Sequence, residues 1–488
     1  MFKKLSDLLF KNRSASQTVV KNTIWLLVGE GAHSLRFIVA IVAARLLGAA
    51  SWGIFAYTVT LAGMFTVFAD IGIGGVLNRE VSRNPDGHAA YLSTSFFLKI
   101  LLVFLSVLVI WITAPFLLNI DGARSFLLVI CLLLASDSFR EFSFSVIRAK
   151  EKMEQEAVIK TVTNIGILSL GIGLLVIFRT PKALAWAYVL GSGMGALTGA
   201  WFLRGYIKTM LTNFSGKLVW PIFSSAWPFA MTALLGTIII NMDTIIIGHY
   251  RTAAEIGFYA TAQRPIQLFY TLASLIASAV FPIMAKTAKR DNPKFRLLFE
   301  KISSAALLIS LPITIVGVIL GKDIIQVLFG NQYLPAVLAF QLLMLTTVIT
   351  SLSSIMTNGV FAYDRQKIFT WTIAGGVLTN LVLDLLFIPR WGIAGSAVAT
   401  IIAQFAVIAP LYVTMKKTNF FLLWRNAKKI VLASFAAGAA AVFLNLLSVN
   451  FFVNLLTDAA VYFFMLSLLK EPLAEDIASI FGITKSSS

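Results

Sequence analysis

Apolar blocks separated by short polar stretches recur along the whole chain of 488 residues. A block of about 20 mainly apolar residues is long enough to cross the hydrocarbon core of a bilayer as an α-helix. The pattern predicts fourteen such helices, at roughly 22–47, 52–77, 90–117, 124–148, 156–179, 183–207, 223–248, 254–286, 294–320, 333–363, 366–388, 391–415, 427–448 and 450–470. The chain is therefore predicted to be an all-α polytopic membrane protein.

Short motifs recur in the same order in the two halves of the chain. Gly53–Ala56 (GIFA) follows the first predicted helix, and Gly257–Ala260 (GFYA) follows the seventh. Thr163–Asn164 in the fifth helix is matched by Thr379–Asn380 in the eleventh. Six-helix repeats have the same orientation in the membrane, and transporters built in this way bind substrate between the repeats. We predict two pseudo-symmetric six-helix lobes plus two C-terminal helices, with chance similarity between apolar segments as the alternative.

This repeat sets the predicted domain organisation. The parts are an N-terminal cytoplasmic or interfacial segment (1–21), an N-lobe (22–207), a cytoplasmic linker (208–222), a C-lobe (223–415), a second linker (416–426), helices thirteen and fourteen (427–470) and a cytoplasmic tail (471–488). Residues 3–13 combine Leu with Lys and Arg, which favours a short interfacial helix. An unstructured tail is equally compatible with that composition.

Composition and charge support a membrane protein. Hydrophobic residues make up 58% of the chain and charged residues 13%, whereas soluble domains have about 45–50% and about 25%. Most of the 40 Lys and Arg residues lie in loops on the side of the two termini, and the net charge is +18. The positive-inside rule then places both termini in the cytoplasm and the protein in the cell (inner) membrane. Nucleic-acid binding is disfavoured because no folded basic domain is present.

The sequence predicts no catalytic or metal centre. Cys131 is the only cysteine, and the three histidines, His33, His88 and His249, are dispersed. The phosphate-binding loop of ATPases, the dinucleotide fingerprint and the zinc-protease motif are all absent. We therefore predict a protein that is not an enzyme and has no cofactor. A membrane-bound acyl- or glycosyltransferase is the alternative, but it would need a catalytic cluster or a large extramembrane loop.

Charged residues inside the predicted helices are the main functional candidates, because each costs at least about 2.5 kcal/mol near the bilayer centre. In the first half they fall at a common depth, roughly 10–17 Å from the cytoplasmic end of their helices. These residues are Glu30, Asp70, Lys99, Asp137, Arg140 and Glu141. Arg36 lies deeper on the same face as Glu30 and His33. The arrangement predicts a mixed-charge cavity that opens toward the cytoplasm.

The second half carries its charges nearer the opposite surface. The residues are Asn241, Asp243, Arg264, Asn380 and Asp384, with Asp458 in the last helix.

Chemistry divides these candidates into three roles. Cations suit an anionic cargo such as a phosphate-bearing lipid head group, and the predicted ligands are Arg36, Lys99, Arg140 and Arg264. Carboxylates in a low-dielectric cavity can exchange H⁺ or bind Na⁺, and the predicted coupling residues are Glu30, Asp70 and Asp243. Supporting polar roles are assigned to His33, Asn241, Asn380 and Asp384.

Two alternatives to these roles stay open. The charges can instead form static ion pairs. Asp137, Arg140 and Glu141 are candidates on one helix, because their spacing is three and four residues, and Glu30 with Lys99 is a candidate pair between helices at matched depth. Asp70 or Asp243 can also serve as the carboxylate that binds an organic cation, as in a drug transporter.

Several motifs resemble one known family. They are Ala43–Gly48, Trp52–Gly53, Asp70–Gly72, Arg79–Glu80, Ile246–Gly248, Ile256–Tyr259, Leu328–Gly330 and Ile388–Thr400. Together, over about residues 20–415, they resemble the Wzx-type O-antigen flippases of the multidrug/oligosaccharidyl-lipid/polysaccharide exporter superfamily. The motifs are specific for the superfamily and weak for the substrate.

The resemblance implies two six-helix lobes in a V shape that work by alternating access. It implies transfer of a polyprenyl-pyrophosphate-linked oligosaccharide from the cytoplasmic to the outer leaflet, for surface polysaccharides such as the O-antigen of lipopolysaccharide. A polysaccharide polymerase and chain-length proteins are then expected partners, beside the membrane lipids. Fourteen helices fit the lipid-linked glycan branch better than the twelve-helix drug exporters. A cation-coupled multidrug antiporter and a flippase of the peptidoglycan lipid precursor remain the alternatives.

Overall fold

The computed structural model describes residues 15–83, 89–117, 120, 122–288, 290–422 and 424–472. Within these ranges the chain is almost entirely helical and contains no β-strand. The helix predicted at 3–13, and the predicted tail from residue 473 onwards, lie outside the described residues.

The α-helices, numbered here in chain order, are α1 Ala15–Phe68, α2 Ile73–Arg83, α3 Ala89–Leu117, α4 Leu127–Ala149, α5 Met153–Phe178, α6 Pro181–Phe202, α7 Ile207–Thr212, α8 Val219–Tyr250, α9 Ala253–Ala288, α10 Asn292–Ile319, α11 Gly321–Phe329, α12 Val337–Ala362, α13 Gln366–Thr418, α14 Trp424–Leu446 and α15 Phe451–Leu468. In the described part of the chain, ten helical segments are long and apolar enough to cross a membrane. The predicted all-α polytopic membrane fold is confirmed.

The two longest helices each consist of two helices joined at a glycine. Gly48 in α1 has φ 76° and Gly392 in α13 has φ 58°, both in the region that glycine adopts without a steric penalty. With these kinks counted as boundaries, the described ranges hold fourteen long helices. The sequence predicts a short link between helices at 48–51 and another at 388–391. Gly48 lies in the first link and Gly392 directly follows the second, and in each case a single non-helical residue makes the turn.

The second predicted helix is wrong at its end, because it does not run unbroken to residue 77. It ends at Phe68, and α2 begins at Ile73. Between them Ile71 and Gly72 have φ values of 43° and 75°. Two successive residues in the left-handed region interrupt the i→i−4 hydrogen bonds of a helix. Hydropathy alone cannot detect this break, because the residues on both sides are apolar.

The chain divides into two compact units, Met1–Ala260 and Thr261–Ser488, called here the N-terminal and C-terminal units. Inside the N-terminal unit, the two repeated glycines face each other. A Cβ atom on Gly53 would lie 1.8 Å from the carbonyl oxygen of Ala253, and one on Gly257 would lie 2.0 Å from that of Ala49. The α1 segment after Gly48 and the start of α9 therefore pack backbone to backbone at the motif that recurs in the two halves.

The C-terminal unit has two apolar centres. One is an aromatic cluster that includes Phe295, Phe299 and Phe421. The other lies where α14 and α15 pack on α10, with Leu307 and Tyr462 among its buried residues.

Candidate functional site

Asp70 stands at the break between α1 and α2 and pairs with Lys99 on α3. The Lys99 ammonium nitrogen lies 2.9 Å from Oδ1 of Asp70, and the Lys99 side chain is 0% exposed while that of Asp70 is 32% exposed. The backbone N–H of Gly74 donates to Oδ2 of Asp70 at 3.4 Å. The possible pairing of Glu30 with Lys99 is therefore wrong. The break turns the Asp70 carboxylate toward α3, and Lys99 is buried behind it.

Glu30 on α1 instead joins a group of charges on α4 and α5. Nζ of Lys160 lies 2.7 Å from Oε1 of Glu30 and 3.1 Å from Oε1 of Glu156. Arg148 binds both carboxylate oxygens of Glu156, each at 2.7 Å. Glu156 is almost fully buried, and two cations compensate its charge, as a buried carboxylate requires.

Arg140 on α4 contacts three polar side chains, those of Asp137, Glu141 and Ser192. Its Nη1 lies 2.6 Å from Oδ1 of Asp137, three residues before it on the same helix. Nη1 also donates to the hydroxyl of Ser192 on α6 at 3.2 Å, and that hydroxyl donates to Oδ1 of Asp137 at 2.8 Å. Oε1 of Glu141 lies 3.8 Å from Nη2. This arrangement matches the ion-pair alternative that the i, i+3 spacing predicts.

Arg36 on α1 is held by neutral groups of α5 and α6. Its Nε donates to Oδ1 of Asn164 at 2.7 Å, and its guanidinium carbon lies 5.7 Å from the centre of the Tyr188 ring. The Asn164 amide donates in turn to the backbone oxygen of Lys160 at 2.7 Å. An amide and an aromatic ring orient the guanidinium without cancelling its charge.

One aromatic ring lies among three of these cations. The ring of Phe144 on α4 is 5.7 Å from Lys160 Nζ, 5.7 Å from the guanidinium carbon of Arg148 and 6.0 Å from that of Arg140. We call the residues described so far the charge network, namely Glu30, Arg36, Asp70, Lys99, Asp137, Arg140, Glu141, Arg148, Glu156 and Lys160. It lies within the N-terminal unit.

The sequence did not predict several residues of this site. Glu156 and Arg148 lie near helix ends, where charged residues are common, so the sequence does not indicate that Glu156 is buried. Ser192 and Phe144 have common side chains. Asn164 did have a signal, because it belongs to the repeated Thr-Asn motif.

Asp243 on α8 lies outside the charge network. Its side chain is buried, and the phenol of Tyr259 donates a hydrogen bond to its Oδ2. Asn241, nearby on α8, donates to the backbone oxygen of Thr237 at 2.9 Å. His33 on α1 is exposed.

The C-terminal unit holds the remaining candidates. Nη1 of Arg264 donates to Oε1 of Gln267, one turn further along α9, at 3.4 Å. Asn380 and Asp384 are buried one turn apart on α13. Across the described ranges, no group of three or more His, Cys, Asp or Glu residues is placed to hold a metal ion.

Comparison with known proteins identifies the family. The family described as "Polysaccharide biosynthesis protein" matches residues 19–288. The chain belongs to this family. The matched segment contains the whole charge network.

Curated relatives of this family member match more than four fifths of its length. The "probable low-salt glycan biosynthesis flippase" Agl15 of Haloferax volcanii is 25% identical, over 88% of this chain and 92% of the relative. The "capsular polysaccharide biosynthesis protein" CapF of Staphylococcus aureus is 22% identical, over 82% of this chain and 100% of the relative.

Solved structures share the fold. The lipid II flippase MurJ, in an inward closed conformation, aligns with a TM-score of 0.77 at 18% identity, covering 92% of this chain and 99% of MurJ. An inward-facing multidrug resistance transporter of the MATE family aligns with a TM-score of 0.66 at 13% identity, covering 79% of this chain and 95% of that structure. These structures show the fold, and together with the family match and the curated relatives they confirm the resemblance that the sequence motifs indicate.

Proposed function

We propose that this protein is a flippase that moves a polyprenyl-pyrophosphate-linked oligosaccharide from the cytoplasmic to the outer leaflet, for assembly of a surface polysaccharide. The observation that supports the proposal is a set of cations, Arg36, Lys99 and Arg140, that lie between the helices of a polysaccharide biosynthesis protein. A lipid-linked glycan of this class has a pyrophosphate at the junction of lipid and sugar, and guanidinium groups bind phosphate oxygens with charge-assisted hydrogen bonds. The names of relatives such as Agl15 agree with this activity.

Arg36 is proposed as a ligand of the pyrophosphate, and its Nε donates to Oδ1 of Asn164. Arg140 and Lys99 are closely paired with Asp137 and Asp70. They would take part by exchanging these carboxylates for the cargo. Arg264 is proposed as a further ligand.

We assign coupling to H⁺ or Na⁺ to Glu30, Asp70 and Asp243. Glu30 and Asp70 are each about one-third exposed and paired with a lysine, so their charge can respond to cargo that competes for the same cation. Asp243 is buried and accepts from a neutral phenol. His33, Asn241, Asn380 and Asp384 are proposed to support these groups, and transport is proposed to follow alternating access.

The proposed setting is the cell (inner) membrane, with both termini in the cytoplasm. The distribution of Lys and Arg between loops supports it. A polysaccharide polymerase and chain-length proteins would use the flipped lipid-linked unit.

Analysis of lipids from a gene-deleted strain tests the substrate class. Accumulation of a polyprenyl-pyrophosphate oligosaccharide, together with loss of the surface glycan and recovery of both by the wild-type gene, is the expected result and identifies the sugar. Accumulation of the peptidoglycan lipid precursor would instead identify that precursor as the substrate. Unchanged lipids with new sensitivity to cationic drugs would favour the multidrug antiporter.

A further inference from the structure

A buried carboxyl group that is not part of the charge network lies in the last helical hairpin. Asp458 is in α15, and its side chain is 1% exposed. Among the residues that the structure describes, neither carboxylate oxygen of Asp458 has a hydrogen-bond partner. An ionised carboxylate without a partner is strongly disfavoured in such a place, so the charge state of this group needs an explanation.

Asp458 is the middle residue of a buried polar stripe on α15. One turn before it, the Asn454 amide donates to the backbone oxygen of Ala441 at 3.3 Å. One turn after it, the Tyr462 hydroxyl donates to the backbone oxygen of Leu308 at 2.7 Å. The flanking residues are thus anchored to α14 and α10. Oδ1 of Asn454 is likewise buried and, within the described ranges, has no donor.

The helices packed against Asp458 offer no cation at its level. In the antiparallel hairpin, the Asn454–Ala441 hydrogen bond brings Asp458 to the level of Ala437, among the buried alanines of α14. The charged residues of α14 all come before Ser434 and those of α10 come about two turns or more before Leu308, namely Arg425, Lys428, Lys429, Lys294, Arg296, Glu300 and Lys301. The titratable groups of its own segment are Tyr462, one turn away, and Lys470 and Glu471, both beyond the end of the helix.

We propose that Asp458 is a proton-binding site. It is protonated at neutral pH, and its hydroxyl donates to Oδ1 of Asn454, one helical turn away on the same face. One proton removes the buried charge and supplies the donor that the Asn454 oxygen lacks. A divalent cation fits less well, because Asp458 and Asn454 provide three oxygens, whereas Ca²⁺ and Mg²⁺ take six or more.

The consequence is that packing of the hairpin depends on pH. The neutral acid is the form that fits between α15 and its neighbours. When the proton leaves to water, a carboxylate remains in the apolar interface, and α15 must loosen to hydrate it. Stability contributed by this site is therefore present while Asp458 is protonated and is lost as the pH rises through its titration.

Infrared spectroscopy of the full-length protein in lipid nanodiscs tests the proton directly. In protein with carbon-13-labelled aspartate, the spectrum of the wild type minus that of Asp458→Asn should contain the carbonyl band of a protonated carboxylic acid at neutral pH, and this band should fade at alkaline pH. The subtraction removes any band from the other aspartates, such as Asp243. The matched control is Asp364→Asn, which removes an exposed aspartate and should leave the band unchanged. A difference spectrum without the band at neutral pH overturns the proposal, and so does a band in it that does not fade at alkaline pH.

A second variant covers the case in which Asp458→Asn does not fold. Asn454→Leu removes the proposed acceptor and keeps the acid, so the band should remain and shift to the frequency of a less strongly hydrogen-bonded carboxyl. An unshifted band would refute Asn454 as the acceptor. Thermal unfolding measured against pH is the second readout: wild type should lose stability toward alkaline pH, and Asp458→Asn should lose less.

Discussion

At the scale of single residues, the site is a set of neighbouring charge pairs that share cations. Lys160 contacts both Glu30 and Glu156, and Glu156 is also bound by Arg148. Each ion pair compensates the charge of a buried carboxylate. A cation that is shared between carboxylates can also exchange one of them for an anionic cargo. Arg36 donates to the Asn164 amide oxygen and lies over the Tyr188 ring.

Charge reversal at Arg36 tests whether this residue binds the cargo. Arg36→Glu should abolish export while the protein inserts normally. Arg36→Ala should weaken cargo binding about 10- to 100-fold, since a hydrogen bond to a charged group contributes about 1.5–3 kcal/mol. The measurement is transfer of labelled lipid-linked oligosaccharide in proteoliposomes. Arg45→Glu, an exposed arginine on the same helix, is the matched control. Unchanged transfer by Arg36→Glu would exclude Arg36 as a ligand.

The Asp70–Lys99 pair allows structure and transport to be separated. Lys99→Met leaves Asp70 without its cation. Removal of one partner from a fully buried ion pair lowers the free energy of unfolding by about 3–5 kcal/mol. The loss in Lys99→Met should be smaller, because the Asp70 side chain is 32% exposed. Adding Asp70→Asn should restore the thermal stability, since both charges are then gone. If the double variant also transports at the wild-type rate, then neither residue binds cargo or carries the coupling ion.

The pH profile of Asp70→Asn isolates the coupling role. If Asp70 carries a coupling proton, the substitution should flatten the dependence of transport on pH, because amide side chains do not titrate. The measurement is the initial rate of lipid transfer across a series of pH values, with Asp323→Asn on α11 as the control. A profile that matches the wild type would remove Asp70 from that role.

At the scale of helices, the contact between Gly53 and Gly257 links the two halves of the repeat inside the N-terminal unit. The backbones approach so closely that a methyl group at either position would overlap a carbonyl oxygen. The recurring motif therefore marks a packing requirement, and its glycine has the same physical function in both halves.

Alanine at this contact should separate the two helices. Gly53→Ala is expected to lower stability by about 1–3 kcal/mol, the usual effect of overpacking, and to reduce transport. Gly63→Ala is the matched control, because a Cβ atom there meets no atom within 4 Å. Thermal unfolding of the purified proteins measures the difference. Equal stability of the two variants would show that the helices at Gly53 can move apart without penalty.

At the scale of the whole molecule, the distribution of basic residues predicts the orientation in the membrane. Cys131 is the only cysteine and is buried, so Cys131→Ser provides a background without thiols. Lys182 and Lys217 are exposed and lie in loops predicted on opposite sides. In intact cells, an impermeant thiol reagent should label Lys182→Cys but not Lys217→Cys, and both should be labelled after permeabilisation. The reverse pattern would invert the topology.

The sequence by itself determined the class of fold and most helix positions, because a bilayer imposes a length and a polarity that each helix must satisfy alone. It also located the charges that need a partner, such as Asp70 and Lys99. Only the tertiary structure decided which partner each one has. Lys99 pairs with Asp70 because a left-handed turn at Ile71 and Gly72 places the carboxylate there. Glu30 meets Lys160 through the packing of α1 on α5. Such contacts depend on helix rotation and on local breaks, which hydropathy does not encode.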